Sequence, residues 1–393
     1  MRHNLRHLRA FLAVVDTGSV SRAAEMCHVS QPAVTQALAR LARVLGFPLF
    51  VRSRGALFAD ETGQLFAARV RRAFSCLDPA LSELAPRLVL TATAAQLEAL
   101  VAVCEAENFT LAAQRLGVAQ PTVHRAVAQL EKEVGRSLFA RTAYGMVPSR
   151  AAHHAARAAR LAFAELQQGE ADLADMRSLA GASIVAGGMP LSRSVILPQA
   201  IASFRRRRPN QPIRIIEGPY AELLGGLRRG EIDFLIGALR DPPPIDDVEQ
   251  ETLFHDVVVI VANRRHPLAG RPSVDLEGLA SYPWIVAPRN TPIRAHFDAL
   301  FGGAGKAPAN VVESSSLILM RELLDRSDAL GFISGGQALA EIERGLMVRL
   351  PFDLAHTRRP IGITTRMGWL PTAAQSAFLA EIRRVSRMSF AAP

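Results

Sequence analysis

Residues 8–53 of this chain recur at 97–142 with a constant offset of 89 and no gap. The matched pairs include Leu8/Leu97, Ala23/Ala112, Gln31/Gln120, Pro32/Pro121, Val34/Val123, Leu41/Leu130, Gly46/Gly135, Phe50/Phe139 and Arg52/Arg141. A gapless match of this length is a duplication. Two copies are too few for a solenoid, which needs about three repeats to bury a continuous core. The repeat therefore divides the 393 residues into two small related domains and a larger remainder, in keeping with the two or three domains expected of this length.

Each copy reads as three helices. Leu8, Phe11, Leu12 and Val15 give the first an apolar stripe that stops at Asp16-Thr17-Gly18. Ser19 or Ser21 can cap a short second helix, whose Ala23-Ala24 permits close approach of a neighbour. Ser30 then caps a third helix with Pro32 in its first turn, where a missing N–H costs nothing. Val34, Leu38, Leu41 and Leu45 face inward along it, as do Val123, Val127, Leu130 and Val134 in the second copy. A short helix, a turn and a longer helix with a polar outer face predict a helix-turn-helix. Gly46 and Gly135 release each chain segment into Leu-Phe-x-Arg and a hairpin, a wing.

That outer face is chemically suited to base edges and phosphates, since it carries amides, hydroxyls and guanidinium groups. The candidate nucleic-acid contacts are Gln31, Pro32, Thr35, Gln36 and Arg40 in the first copy. Gln120, Pro121, Thr122, His124, Arg125 and Gln129 are those of the second. Arg52, Arg54 and Arg141 on the wings are expected to meet phosphate. Net charge agrees in sign: it is +10, and the residues before position 87 carry 11 bases against 6 acids. Lys132 and Lys306 are the only lysines, so an arginine-biased composition accounts for part of this charge.

The run AAEMCHVSQPAVTQALARLARVLGFPLFVR resembles the DNA-binding domain of LysR-type transcriptional regulators, and AAQRLGVAQPTVHRAVAQLEKEVGRSLFART resembles it again. The family ordinarily has one such domain per chain, and this chain has two. Ala59-Asp60 and Pro148-Ser149 also stand where the family shows a Leu-Thr pair in the wing. The resemblance implies that the helical stretches after each wing are linker helices of the kind that dimerise these proteins. We expect the two of one chain to pair antiparallel, an intrachain imitation of the family's dimeric unit.

From Gly181 onward, strands and helices alternate: Ser183–Ala186, Ile213–Ile216, Ile232–Ile236, Val257–Val261, Trp284–Val286 and Leu330–Ile333 read as strands. Such succession predicts open, mostly parallel sheets with a ligand crevice at the strand carboxyl ends. FRRRRPNQPIRIIEG and LRRGEIDFLIGAL resemble the LysR effector domain, which is similar to a two-lobed periplasmic binding protein. EGPY and NTPIRAHFDALF resemble the subgroup named for regulating a galactose-binding protein. The expected architecture is multi-domain. It comprises winged helix-turn-helix copy 1 (1–61), a linker helix (62–86), copy 2 (87–149), a second linker helix (150–180) and an α/β two-lobed effector domain (181–393).

Candidate effector contacts are Leu191, Ser192 and Arg193 at one helix start, and Thr291 and Arg294 at another, where backbone N–H groups favour anions. Ser314, Ser315 and Ser334 are expected across the cleft, and Tyr220 to supply a ring. The effector is a sugar by subgroup resemblance or a small carboxylate by these helix starts. Neither a cofactor nor a metal ligand set is expected.

Enzymatic function finds little support: there is no GxSxG, GxxxxGK[ST], HExxH or GxGxxG, so no catalytic residue is assigned. Cys27, Cys76 and Cys104, without a CxxC pair, suit a reducing cytoplasm. The expected function is a cytoplasmic, ligand-responsive transcriptional regulator. Its expected partners are promoter DNA, a small effector and further copies of itself in a homodimer or homotetramer, with no membrane. The alternatives are a non-specific architectural DNA-binding protein with a vestigial ligand domain, or an enzyme on the two-lobed fold.

Overall fold

Capping residues set the boundaries of the first three helices. Asn4 accepts the Arg6 N–H (3.0 Å) to open α1 (Leu5–Thr17), which Gly18 closes at φ +64°. Ser19 caps α2 (Val20–Met26), and Ser30 caps α3 (Gln31–Leu45), which ends at Gly46 with φ +77°. β1 (Phe50–Ser53) and β2 (Ala56–Ala59) pair antiparallel as a wing. The Asp60 carboxylate then accepts the Gly63 N–H at 2.7 Å and starts the long α4 (Glu61–Leu84).

After a single turn, α5 (Leu88–Thr91), the plan repeats as α6 (Ala94–Ala106), α7 (Phe109–Leu116) and α8 (Gln120–Val134). A second wing, β3 (Phe139–Thr142) with β4 (Gly145–Pro148), leads into α9 (Arg150–Met176), capped by Ser149. The caps differ between copies: α6 has a full Thr93/Gln96 capping box, whereas α8 begins at Ala119 with no side-chain cap.

This computed structural model describes residues 4–53, 56–143, 145–177, 182–289, 291–302 and 308–390. They fall into two compact units. The first holds the chain up to Ser183 with Arg229–Glu231, and the second holds the rest. At the centre of the first unit α4 and α9 lie side by side and antiparallel. Glu83 near the end of α4 meets His154 near the start of α9 (2.8 Å), and Arg69 near the start of α4 meets Asp172 near the end of α9.

The pair packs large residues against small ones. Phe66, Val70, Phe74, Leu77 and Leu81 of α4 are buried in one core with Ala152, Ala155, Ala159 and Ala162 of α9. Each such Phe or Leu contributes about 1.5–3 kcal/mol of burial. Leu65 and Met176 lie on the outer sides of their helices and are exposed.

The second unit contains two five-stranded sheets. Its first elements are β5 (Ile184–Gly188), α10 (Pro190–Ser194), α11 (Ile196–Arg207), β6 (Ile213–Ile216), α12 (Tyr220–Arg228), β7 (Phe234–Ala238) and β8 (Val248–Asp256). The second lobe follows with β9 (Val258–Ala262), α13 (Leu276–Ala280), β10 (Trp284–Val286), α14 (Pro292–Gly302), β11 (Val311–Glu313), α15 (Leu317–Arg326), β12 (Leu330–Ser334), α16 (Gly335–Glu343) and β13 (Val348–Arg349). The chain then returns to the first lobe as β14 (Arg359–Arg366) and α17 (Ala373–Phe390).

The strand orders are β6-β5-β7-β14-β8 and β11-β10-β12-β9-β13. The sheets are therefore mixed rather than mostly parallel. Three strands of each are parallel, while β14 and β8, and β9 and β13, pair antiparallel because they belong to the two crossings between lobes.

Candidate nucleic-acid interface and ligand cleft

The third helix of each copy turns one side to the core and the other to solvent. Val34, Ala37 and Leu41 are buried on α3, and Val123, Val127 and Leu130 on α8. Gln31, Pro32, Thr35, Gln36 and Arg40 are exposed on α3. Gln120, Pro121, Thr122, His124, Arg125 and Gln129 are exposed on α8, and Arg52 and Arg141 on the wings. Arg54 lies outside the described residues. Two of these side chains also make local contacts: Thr35 donates to the Gln31 carbonyl (3.1 Å), and the His124 ring rests against Phe109 at 5.3 Å.

Two arginines that the sequence reading passed over, each just past one of the long helices, fix the third helices. Arg87, just past α4, donates to the Glu133 and Lys132 carbonyls at the end of α8 (2.5–3.3 Å). Arg177, just past α9, donates to the Gly46 carbonyl at the end of α3 and lies 4.2 Å over the Phe47 ring. Both cations sit at the negative end of a helix dipole and satisfy carbonyls that the helix leaves free. Their position at equivalent ends of the two linker helices was the available signal.

The antiparallel pair is pinned by a buried ionic network. Arg69 is 1% exposed. Its Nε donates to Asp172 at 2.9 Å, and one terminal nitrogen reaches Glu165 (3.2 Å) and Gln168 (3.0 Å). Arg72 closes on the same Glu165 carboxylate with two bonds of 3.1 and 3.0 Å. Arg69 packs its stem on Gly169, where a Cβ would stand 3.1 Å from both Arg69 Cβ and the Phe66 ring.

In the second unit every effector candidate lies just beyond the carboxyl end of a parallel strand. Leu191, Ser192 and Arg193 follow β5, Tyr220 follows β6, Thr291 and Arg294 follow β10, Ser314 and Ser315 follow β11, and Ser334 ends β12. Several are already engaged. Ser192 is fully buried and donates to the Met189 carbonyl (2.8 Å), and Arg193 pairs with Glu217. Arg294 pairs with Asp298 (2.7 Å) and Glu313 (2.5 Å). Thr291 bonds Pro288 and caps the Arg294 N–H, Ser314 accepts the Ser316 N–H, and Ser315 is exposed. Leu191 is buried near Gly336 of the other lobe.

The crossing between the lobes holds residues that the sequence reading missed. Asp256, at the end of β8, accepts from Ser334 Oγ (2.7 Å) and the Gly336 N–H (2.9 Å), and Arg359 approaches it at 3.5 Å. Burial pushes the Arg359 guanidinium below its usual range; Asp256 opposes that shift and Arg240 adds to it. Arg240 in turn stacks 4.6 Å over the Tyr220 ring, whose buried hydroxyl has no hydrogen-bond partner among the described residues. His296 is held below its ordinary value by burial and by the Arg359 and His356 charges. Arg359 and Arg240 thus lie close to one another beside a single carboxylate, a local excess of positive charge.

Comparison with known proteins agrees with both halves of this layout. The model for bacterial regulatory helix-turn-helix proteins of the lysR family matches residues 5–64 and again 94–153, and the LysR substrate binding domain matches 183–387. The chain is 35% identical over 391 residues to the HTH-type transcriptional regulator GalR of Pseudomonas putida, covering 97% of each. It is 28% identical over 293 residues to PcaQ of Agrobacterium fabrum, 74% of this chain and 94% of that one. The crystal structure of ArgP from Mycobacterium tuberculosis shares the fold at 18% identity and a TM-score of 0.57, over 74% of this chain and 96% of that one.

Proposed function

The chain belongs to the LysR family of transcriptional regulators, a DNA-binding, effector-responsive protein and not an enzyme, and from that premise we propose that both winged modules of one chain read DNA together. The antiparallel α4–α9 pair carries this reading. It puts the two modules at opposite ends of one helix pair, with Arg87 and Arg177, just past the two long helices, each holding one third helix. The exposed side chains of α3 and α8 then face successive stretches of duplex, and the wing arginines meet phosphate. The protein acts in the cytoplasm as a homo-oligomer of such pseudo-dimers.

Footprinting tests the reading. Gln36→Ala/Arg40→Ala and Arg125→Ala/Gln129→Ala are each expected to lose a different half of the wild-type protected region. If either double variant leaves the footprint unchanged, that copy does not read DNA.

For the effector we propose a small carboxylate held near the crossing of the lobes by Arg240, Arg359 and the Tyr220 hydroxyl, with Ser192 and Ser334 shaping the helix starts beside it. The positive surplus and the unpartnered hydroxyl support this over a neutral sugar. Thermal-shift screening with simple carboxylates and monosaccharides separates the two. A carboxylate shift that Arg240→Ala removes is expected, and stabilisation by sugars alone would overturn it.

A further inference from the structure

The Arg69 network exists at only one end of a helix pair whose two members descend from the same repeat. With the offset of 89, Arg69 corresponds to Ala158 and Arg72 to Leu161, while Glu165, Gln168 and Asp172 correspond to Cys76, Pro79 and Glu83. Pairing α4 with a second α4 in the same register would set Arg69 and Arg72 of each chain against Cys76, Pro79 and Glu83, two cations with one acid. Pairing α9 with α9 would set Glu165 and Asp172 toward Ala158 and Leu161, acids with no cation from the network.

Only the mixed pair gives the buried Arg69 its acids at 2.9 and 3.2 Å and places Gly169 beneath its stem. A buried charge stripped of its partners is far costlier than an intact pair is stabilising. The network therefore acts mainly against the wrong pairings, as a single buried polar residue does in setting coiled-coil register and partner.

We propose that this network is a pairing code that makes the DNA-reading unit obligately heterotypic, so that the protein recognises a non-palindromic element made of two different half-sites. The proposal rests on the reading that both copies face DNA. The half-sites differ because the faces differ: α3 presents Thr35, Gln36 and Arg40 where α8 presents His124, Arg125 and Gln129. A homotypic LysR-type pair calls for an inverted repeat, since the DNA mirrors the two-fold symmetry of its reader. Here the two-fold survives in the helix pair and is broken in the side chains.

The experiment uses the full-length protein. Selection from random duplexes defines the two half-sites, and Gln36→Ala/Arg40→Ala and Arg125→Ala/Gln129→Ala assign each half to a copy. Three probes are then compared: the composite element, an inverted repeat of the first half and an inverted repeat of the second. Wild type is expected to bind the composite about 100-fold tighter than either repeat, as several mismatched base pairs require.

The triple variant Arg69→Leu/Glu165→Leu/Asp172→Leu replaces the buried charges of the network with apolar groups that such a site tolerates, and leaves the partly exposed Arg72 to solvent. It is expected to remain folded by circular dichroism and to lose most of that preference. Wild-type preference for an inverted repeat overturns the proposal. So does a folded triple variant that still discriminates, because the covalent tether alone would then set the pairing. An unfolded triple variant hands the decision to the charge swap Arg69→Asp/Asp172→Arg, which must recover the composite preference that Arg69→Asp loses; failure to recover it counts against the code. If one recognition-helix double variant is silent on every probe, the two-copy reading fails first and the proposal with it.

Discussion

Cys104 and His266 show how burial sets chemistry one side chain at a time. The Cys104 thiol lies in the first unit, and desolvation pushes its pKa up to about 12, with Arg160 opposing. Thiolate is the reactive form, so at pH 8 it should alkylate roughly a thousandfold more slowly than an unperturbed thiol. Quantitative mass spectrometry after iodoacetamide treatment measures that ratio. No cysteine lies beyond residue 104, so the effector unit carries no thiol with which to sense oxidants.

His266 is buried, and its Nδ1 accepts the Leu268 N–H at 3.0 Å, which fixes the neutral tautomer with Nε2 toward the Asp328 carbonyl. Desolvation lowers its pKa, although the Asp328 carbonyl and charge oppose this. Above the unfolded value of about 6.5 the ring is neutral in both states and costs nothing. As pH falls below that value the unfolded chain takes up the proton first, so stability is lost until the folded pKa is passed. A melting series from pH 8 to 5 is expected to fall more steeply for wild type than for His266→Gln.

Among the elements, α3 and α8 are the same helix with one difference at the first turn. Ser30 supplies a side-chain acceptor to α3, and Ala119 supplies none to α8. Ala119→Ser is expected to raise stability by about 0.5–1 kcal/mol and Ser30→Ala to lower it by a similar amount, read from denaturant midpoints.

The long helices were legible as apolar stripes, and the glycine stops as turns, because these depend on spacing along one strand of sequence. The long β8 and β14 were not legible. Their alternation is blurred where the chain crosses between lobes, and β14 bulges between Ile361 and Gly362. The partners of Arg87 and Arg177 were equally hidden, since each acts on carbonyls more than 40 residues away.

At the scale of the molecule, DNA affinity should report how many phosphates the two modules neutralise. Counterion release gives a slope of about −0.9 in log affinity against log salt for each phosphate contact. Arg52→Ala and Arg141→Ala are each expected to reduce the slope by about 1 and to weaken binding evenly across sequences. Gln36→Ala and Gln129→Ala should leave the slope nearly unchanged and relax the sequence preference. A salt titration by fluorescence anisotropy distinguishes these outcomes. A slope unchanged in Arg141→Ala would remove the second wing from the interface.

The sequence by itself determined that a winged helix-turn-helix is present twice, which helix of each copy faces outward, and that strands and helices alternate after Gly181. These properties follow from local periodicity, caps and an offset that any reader of one chain can align. Only the tertiary structure decided what those parts do to one another. Arg69 was one arginine among many until α9 brought Glu165, Gln168 and Asp172 to it across about a hundred residues. Arg294 stood alone until β11 brought Glu313 to it, and Arg240 and Arg359 were unremarked until the fold set them near Tyr220 and Asp256. The physical reason is one of range. Backbone preferences act over a few neighbours, while a charge buried in low dielectric is defined by whichever group the fold places within about 4 Å of it.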